Sequence, residues 1–255
     1  MKSGILALAL VFGGLGSAGG DELVITYGNT VKPDAELKAF VDKFRTAITA
    51  KKPNYDKING MFAPKVKAFS RSLDPLQPWF KMDPISANYL DEIVDVIVEQ
   101  APLPDDAKQP DYRPEALSMM ADMLAEGPLG AIKEIPGSAC APAEWKYDAG
   151  AVTAFLKAVD DSANSVRFYK DETALLAKPK AGSKTIGTLP AFALASPYSK
   201  AIEPQGWTKL TSASGLSGYV RDDDSREALY LSQMHVCFGK VSGKYKVTGI
   251  FGYGL

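Results

Sequence analysis

The chain has 255 residues, and its 29 lysines and arginines nearly balance its 30 aspartates and glutamates. Because the charges cancel and no long block of one sign occurs, the sequence lacks the basic surplus that nucleic-acid-binding and anionic-membrane-binding proteins use. Hydrophobic residues make up 46% of the chain, which is enough to form a buried core. Composition therefore predicts a folded protein with no nucleic-acid partner.

The N-terminus has the pattern of a secretory signal peptide over residues 1–20. Lys2 supplies the positive start, an apolar run follows over residues 5–15, and small residues lead to Ala18 and Gly20, the two expected cleavage positions. The apolar run is shorter than the roughly 20 residues that span a bilayer. We therefore expect a periplasmic or secreted mature protein without a membrane span, a disordered or membrane-anchoring N-terminus being the alternative.

Apolar residues recur at helical spacing through the N-terminal part of the chain. In the first such segment, Pro33 precedes Val41, Phe44 and Ile48, which fall on one helix face. The predicted helices are residues 33–50, a short helix around residues 55–62 that Pro64 ends, residues 86–100, residues 114–126, and one that Asp148 caps. The pattern predicts a mostly helical domain over residues 21–147.

From Val166 onward, short β-type runs broken by Gly, Pro and Ser replace the helical pattern. Residues 175–190 end in Ile-Gly-Thr-Leu-Pro, residues 206–210 read Gly-Trp-Thr-Lys-Leu, and residues 215–220 read Gly-Leu-Ser-Gly-Tyr-Val. These motifs resemble the bacterial SH3-like domain (SH3b), in which a strand ending in Ile-Gly-x-Leu precedes Gly-Trp-x-Lys-Val and a closing Gly-x-x-Gly-Tyr-Val. The resemblance implies a linker helix and a small closed β-barrel over residues 148–221.

The resemblance also implies a ligand groove, because the aromatic side chains of such barrels bind extended peptides. Tyr198, Trp207 and Tyr219 are the candidate ligand-binding residues, and a peptide or protein, for example a cell-wall peptide, is the implied partner. The chain departs from the family where its usual Val-Asn-Val-Arg stands, since Ala177 or Lys178 takes the place of the arginine, and in a longer loop before Gly-Trp. The ligand preference of the family is therefore not transferred, and the alternative that the rings are core residues stays open.

The last part of the chain, residues 222–255, has the pattern of a β-hairpin. Two strand-like segments, residues 230–241 and 244–251, flank Ser242-Gly243, which suits a two-residue turn. This hairpin is similar to one in exported proteobacterial proteins of unknown function. We expect a terminal hairpin that follows the barrel.

The two cysteines are Cys140 and Cys237. In an exported protein they predict one disulfide, whereas a catalytic cysteine and a metal-binding pair are the alternatives. His235, the single histidine, shares a strand face with Cys237. Cysteine peptidases need the cysteine at a helix start and the histidine on a separate strand, so this pair does not predict catalysis.

The sequence thus predicts an α+β protein with a mostly helical N-terminal domain, an SH3-like barrel and a terminal hairpin. Because no recognisable catalytic, cofactor-binding or metal-binding motif occurs, the predicted function is that of an exported, non-enzymatic binding or scaffold protein of the cell envelope. Two other functions stay open: a cell-wall hydrolase with a carboxylate pair in residues 33–126, and a secreted effector that acts on a host or competitor protein. A cleft with two close carboxylates would favour the hydrolase.

Overall fold

A computed structural model describes residues 21–71, 76–86, 89–98, 110–163, 165–197, 204–222 and 228–253. The elements of the first part are β1 (Thr26–Tyr27), α1 (Ala35–Ile48), α2 (Tyr55–Asn59), β2 (Phe62–Arg71), β3 (Phe80–Lys81), α3 (Tyr89–Ile97), α4 (Arg113–Glu126), β4 (Ala139–Ala141), β5 (Trp145–Lys146) and α5 (Ala149–Val159). They are followed by β6 (Arg167–Phe168), β7 (Thr173–Leu176), β8 (Thr185–Leu189), β9 (Ala195–Pro197), β10 (Trp207–Ser212), β11 (Ser217–Arg221), β12 (Leu229–Tyr230), β13 (His235–Val241) and β14 (Lys244–Tyr253). The predicted signal peptide lies outside the described residues.

The helices lie close to the positions that the sequence predicts. α1 begins after Asp34, whose side chain accepts a hydrogen bond from the Leu37 backbone N–H at 2.7 Å. α5 begins after Asp148, which accepts from the backbone N–H of Ala151 at 2.9 Å. Both caps satisfy donors that the start of a helix leaves unpaired. In the described part of the chain, no helix is long and apolar enough to cross a membrane.

The segment after α2 is a strand, and the prediction of a helix through residue 62 that Pro64 ends is wrong. β2 pairs in parallel with β14, first at Phe62 with Val247 and then at Lys67 with Gly249. The pairing is interrupted between these two positions, so Pro64 stands where its missing N–H removes no ladder hydrogen bond. Partners far along the chain therefore decide the conformation of this segment.

The helices of the N-terminal part do not form a helical domain, which corrects the predicted fold class. They pack against one face of a five-stranded sheet of order β3-β2-β14-β13-β4, and the two strands β13 and β14 come from the C-terminus. Phe44 of α1, for example, contacts Phe62 and Phe238 edge to face, with ring centroids 5.9 and 5.8 Å apart. Residues of α1, α3, α4 and the hairpin share one core. The hairpin therefore supplies the central strands of the sheet on which the helices pack.

The turn between β13 and β14 has the predicted form. Ser242 and Gly243 both have positive φ, at 50° and 79°, as a type I′ turn requires. The first strand is shorter than predicted, because residues 229–230 form the separate strand β12. Val236 and Phe238 lie in the helix-covered core, while Cys237 lies in a cluster on the opposite face, as strand alternation predicts.

The C-terminal β-region is an open sheet, and the predicted closed barrel is wrong. Seven strands pair in the order β12-β6-β9-β10-β11-β7-β8. A barrel needs its first and last strands to pair, but within the described residues β12 and β8 are the two edges of the sheet. Strand β12 comes from beyond the predicted barrel segment and pairs with β6 through Leu229 and Phe168.

A second core packs α5 and the short β1–β5 pair against the seven-stranded sheet. It contains Ile25 from the N-terminal segment, Trp145 next to α5, and Phe168 and Leu194 from the seven-stranded sheet region. Buried Gln233 links this core to α4, because its side-chain oxygen accepts from the Trp145 backbone N–H at 2.9 Å and its amide group donates to Glu126 at 3.0 Å. The seven-stranded sheet is thereby held against the rest of the molecule.

Candidate functional site

Strands β10 and β11 place two of the predicted ligand-binding residues on one face. In the antiparallel register, Trp207 pairs with Arg221 and Lys209 pairs with Tyr219. Because side chains alternate along a strand, these four residues share the outer face, whereas Leu210 points to the core, where it is fully buried. Trp207 and Tyr219 are half-buried. We call this surface the aromatic face.

Each aromatic ring of the aromatic face has a cation above it. The guanidinium carbon of Arg221 lies 6.0 Å from the centroid of the Trp207 ring, and Lys209 Nζ lies 6.0 Å from the centroid of the Tyr219 ring. A separation of about 6 Å is the outer limit of a favourable cation–π contact. The contacts between the two cations and the rings are therefore weak.

A small pocket opens beside the aromatic face, between β7 and β11. These strands pair at one position, Leu176 with Tyr219. The pocket has a volume of about 100 Å³ and is lined by Tyr169, Thr173, Ala174, Leu176, Tyr219, Val220 and Arg221. Burial raises the pKa of Tyr169, so its phenol stays neutral. An engineered cavity of roughly 150 Å³ holds benzene, so this pocket suits a single small side chain.

The predicted site residues therefore have two outcomes. Trp207 and Tyr219 are diagonal neighbours on the aromatic face, and Tyr198 lies outside the described residues. Sequence reasoning missed Lys209 and Arg221, although the two-residue period of strands, counted from Trp207 and Tyr219, places them on the same face. No sequence pattern predicts the pocket, because it forms where β7 and β11 separate after their single paired position.

The predicted disulfide is present. Cys140 of β4 and Cys237 of β13 stand opposite each other in neighbouring strands, and their sulfur atoms are bonded at 2.02 Å. Both residues are fully buried. Cys237 is thus a structural half-cystine here, and its sulfur is not available as a thiolate nucleophile.

His235 is part of the protein interior. Its side chain is 1% exposed, and Nδ1 lies 2.9 Å from the carbonyl oxygen of Pro142. The rings of Trp79 and Phe251 contact it edge to face. Burial lowers the pKa of His235 to about 4, so the imidazole is neutral at physiological pH and donates to the Pro142 carbonyl.

Two carboxylates interact near the disulfide, outside the segment in which a hydrolase pair was predicted. Burial raises the pKa of Glu144, and the charge of Glu134 raises it further, whereas Trp79 and Arg71 act in the opposite direction. Arg71 also stacks on Trp79, with its guanidinium carbon 4.1 Å from the ring centroid. Arg71 and Lys133 therefore offset only part of the effect of burial and of the Glu134 charge on Glu144.

Comparison of the chain with protein families, with curated proteins and with solved structures found no match. The likeness to the bacterial SH3-like domain therefore stays a prediction that rests on the sequence motifs.

Proposed function

We propose that the protein is an exported, non-enzymatic binding protein of the cell envelope that recognises an extended peptide or protein segment. The observation that carries this proposal is the aromatic face, where Trp207 and Tyr219 stand half-exposed beside Lys209 and Arg221. Half-exposed tryptophan, tyrosine and arginine are the residues that contribute most to binding energy at protein interfaces.

The chemistry of the aromatic face favours an acidic ligand. Lys209 and Arg221 supply positive charge over the two rings, and the neighbouring hydroxyls of Thr211 and Ser217, 3.1 Å apart, offer neutral hydrogen bonds. The pocket beside Tyr219 takes one small apolar side chain. A peptide with carboxylates and short aliphatic side chains, such as a cell-wall peptide, combines these properties.

The proposed location is the periplasm or the outside of the cell. The buried disulfide supports this location, because structural disulfides persist in oxidising compartments. The signal-peptide pattern of the sequence supports it independently.

Truncation of the aromatic face tests the proposal. We expect Trp207→Ala and Tyr219→Ala each to weaken co-sedimentation with purified cell-wall sacculi or envelope fractions by about 1 to 3 kcal/mol. Their free energies of unfolding should change by less than about 1 kcal/mol, because both side chains are only half-buried and lie on the sheet face opposite the core residue Leu210.

Leu210→Ala is the matched control in the same strand. Its side chain is fully buried, so the variant should lose about 2 to 5 kcal/mol of stability and, where folded, bind as the wild type does. If Trp207→Ala and Tyr219→Ala instead unfold the protein and leave binding per folded molecule unchanged, the rings belong to the core and the proposal is wrong.

A further inference from the structure

We propose a second ligand site beside the turn of the β13–β14 hairpin that binds a small organic anion. Two adjoining pockets of about 470 and 270 Å³ share Gly60, Lys244 and Lys246, and we call them together the hairpin cleft. The larger one falls in the range of roughly 300 to 1,000 Å³ that is typical of small-molecule sites. The hairpin cleft belongs to the five-stranded sheet and is separate from the aromatic face.

The hairpin cleft forms where the first three residues of β14 extend beyond the start of β2, its partner strand. The pairing of the two strands starts at Val247 and Phe62, and the Val247 N–H donates to the Met61 carbonyl at 3.0 Å. The residues before β2 do not continue along β14, because Gly60 ends α2 there. The first three residues of β14, 244–246, therefore have β13 on one side and the cleft on the other.

Positive charge is concentrated along the hairpin cleft. Lys244 and Lys246 are two residues apart on β14 and line both pockets, and Lys43 of α1 lines the smaller one. The ammonium group of Lys246 donates to the Gly60 carbonyl, which holds it at the cleft. An ammonium has three donors, so Lys246 keeps donors for an incoming anion.

The lining carboxylate does not offset this charge. Glu36 lines the smaller pocket, but its Oε2 lies 2.7 Å from Lys240 Nζ in an ion pair. Lys240 in turn stands over the ring of Tyr245, 4.8 Å from its centroid. Asp34, which accepts from the Tyr245 hydroxyl at 3.0 Å, also interacts with Lys240. The three lysines that line the cleft outnumber the one carboxylate charge that Lys240 leaves over, so the surplus charge is positive.

The larger pocket adds an apolar wall. Tyr89 stacks on buried Phe62 at a centroid distance of 5.8 Å and an interplanar angle of 11°, and Pro64 lies beside them. The site thus fits a ligand with a carboxylate or phosphate group and a planar apolar body.

Titration of the mature protein with simple probes, followed by amide NMR shifts, tests the proposal. We expect saturable shifts at Gly60, Met61 and residues 242–246 with phenyl phosphate or benzoate, and none with benzyl alcohol, which lacks the charge. The tighter of the two anions identifies phosphate or carboxylate as the recognised group. Inorganic phosphate should bind at least about fivefold more weakly than phenyl phosphate, because it lacks the ring that stacks on Tyr89.

Two variants and a control separate recognition from folding. Lys244 is exposed, and Lys244→Gln should lower the affinity for the tighter-binding probe about tenfold. Tyr89→Ala should remove the difference in affinity between phenyl phosphate and inorganic phosphate. Lys38→Gln, an exposed α1 position that pairs with Asp42, should leave binding unchanged. The absence of saturable shifts, or equal losses in Lys38→Gln and Lys244→Gln, would overturn the proposal. Trp207→Ala should not affect these shifts, because Trp207 belongs to the seven-stranded sheet and does not line the cleft. Binding at the hairpin cleft is therefore tested independently of binding at the aromatic face.

Discussion

Replacing Cys140 and Cys237 together by alanine is expected to lower the free energy of unfolding by about 4 to 5 kcal/mol. The disulfide joins residues that are 97 positions apart, and a cross-link that closes a loop of this length removes much conformational freedom from the unfolded chain. It also fastens β4 to β13 inside the sheet. Urea denaturation of the variant and the oxidised wild type at pH 7 measures the difference.

Wild-type protein reduced while unfolded and refolded with reductant is the control, and its stability should match that of the variant. Under native conditions the disulfide should resist reduction, since both cysteines have 0% exposure and a reductant cannot reach the sulfur atoms. A loss of stability below about 1 kcal/mol, or rapid thiol release from the folded protein, would contradict the expected role of the cross-link.

The parts of the fold that the sequence predicts correctly are those decided by near neighbours. α1 follows from apolar spacing and the Asp34 cap, and the hairpin follows from Ser242-Gly243. Both signals operate within a few residues, so no knowledge of the partner elements is needed.

The errors concern long-range pairing. Met61 and Phe62 continue the helical spacing of α2, and only the pairing with β14, far along the chain, makes the following residues a strand. The same holds for the barrel, because the strands at Trp207 and Tyr219 are correct but their closure depends on which strands become edges. In the hairpin, Val236 and Cys237 lie on opposite faces of the sheet and both are buried. A strand that is buried on both faces has no alternation of polar and apolar residues, so its sequence does not show which face meets the helices.

The candidate sites differ in the same way. The sequence motifs predict Trp207 and Tyr219 of the aromatic face, and the strand period, applied to them, adds Lys209 and Arg221, which the prediction missed. The hairpin cleft brings Asn59 and Tyr89 together with Lys244, and no local pattern connects these residues. A site of this kind is visible only when the register between β14 and β2 is known.

Acidification is expected to destabilise the protein through His235. The histidine has a pKa of 6.5 in the unfolded chain and about 4 in the folded protein, because burial disfavours the imidazolium. Between these values the unfolded chain binds more protons, so the free energy of unfolding falls as the pH is lowered. The contribution is fully present above pH 6.5 and decreases by about 3 kcal/mol by pH 4, at about 1.4 kcal/mol per pKa unit.

Urea unfolding of the wild type and of His235→Phe between pH 4 and pH 7 measures this effect. Phenylalanine keeps a ring between Trp79 and Phe251 but does not titrate, so its loss of the hydrogen bond to Pro142 lowers stability equally at every pH. Glu144 acts in the opposite sense in both proteins, because a raised carboxyl pKa favours the folded state at low pH. The difference in pH slope between the two proteins therefore isolates His235, and equal slopes would show that the histidine accepts a proton in the folded protein as easily as in the unfolded chain.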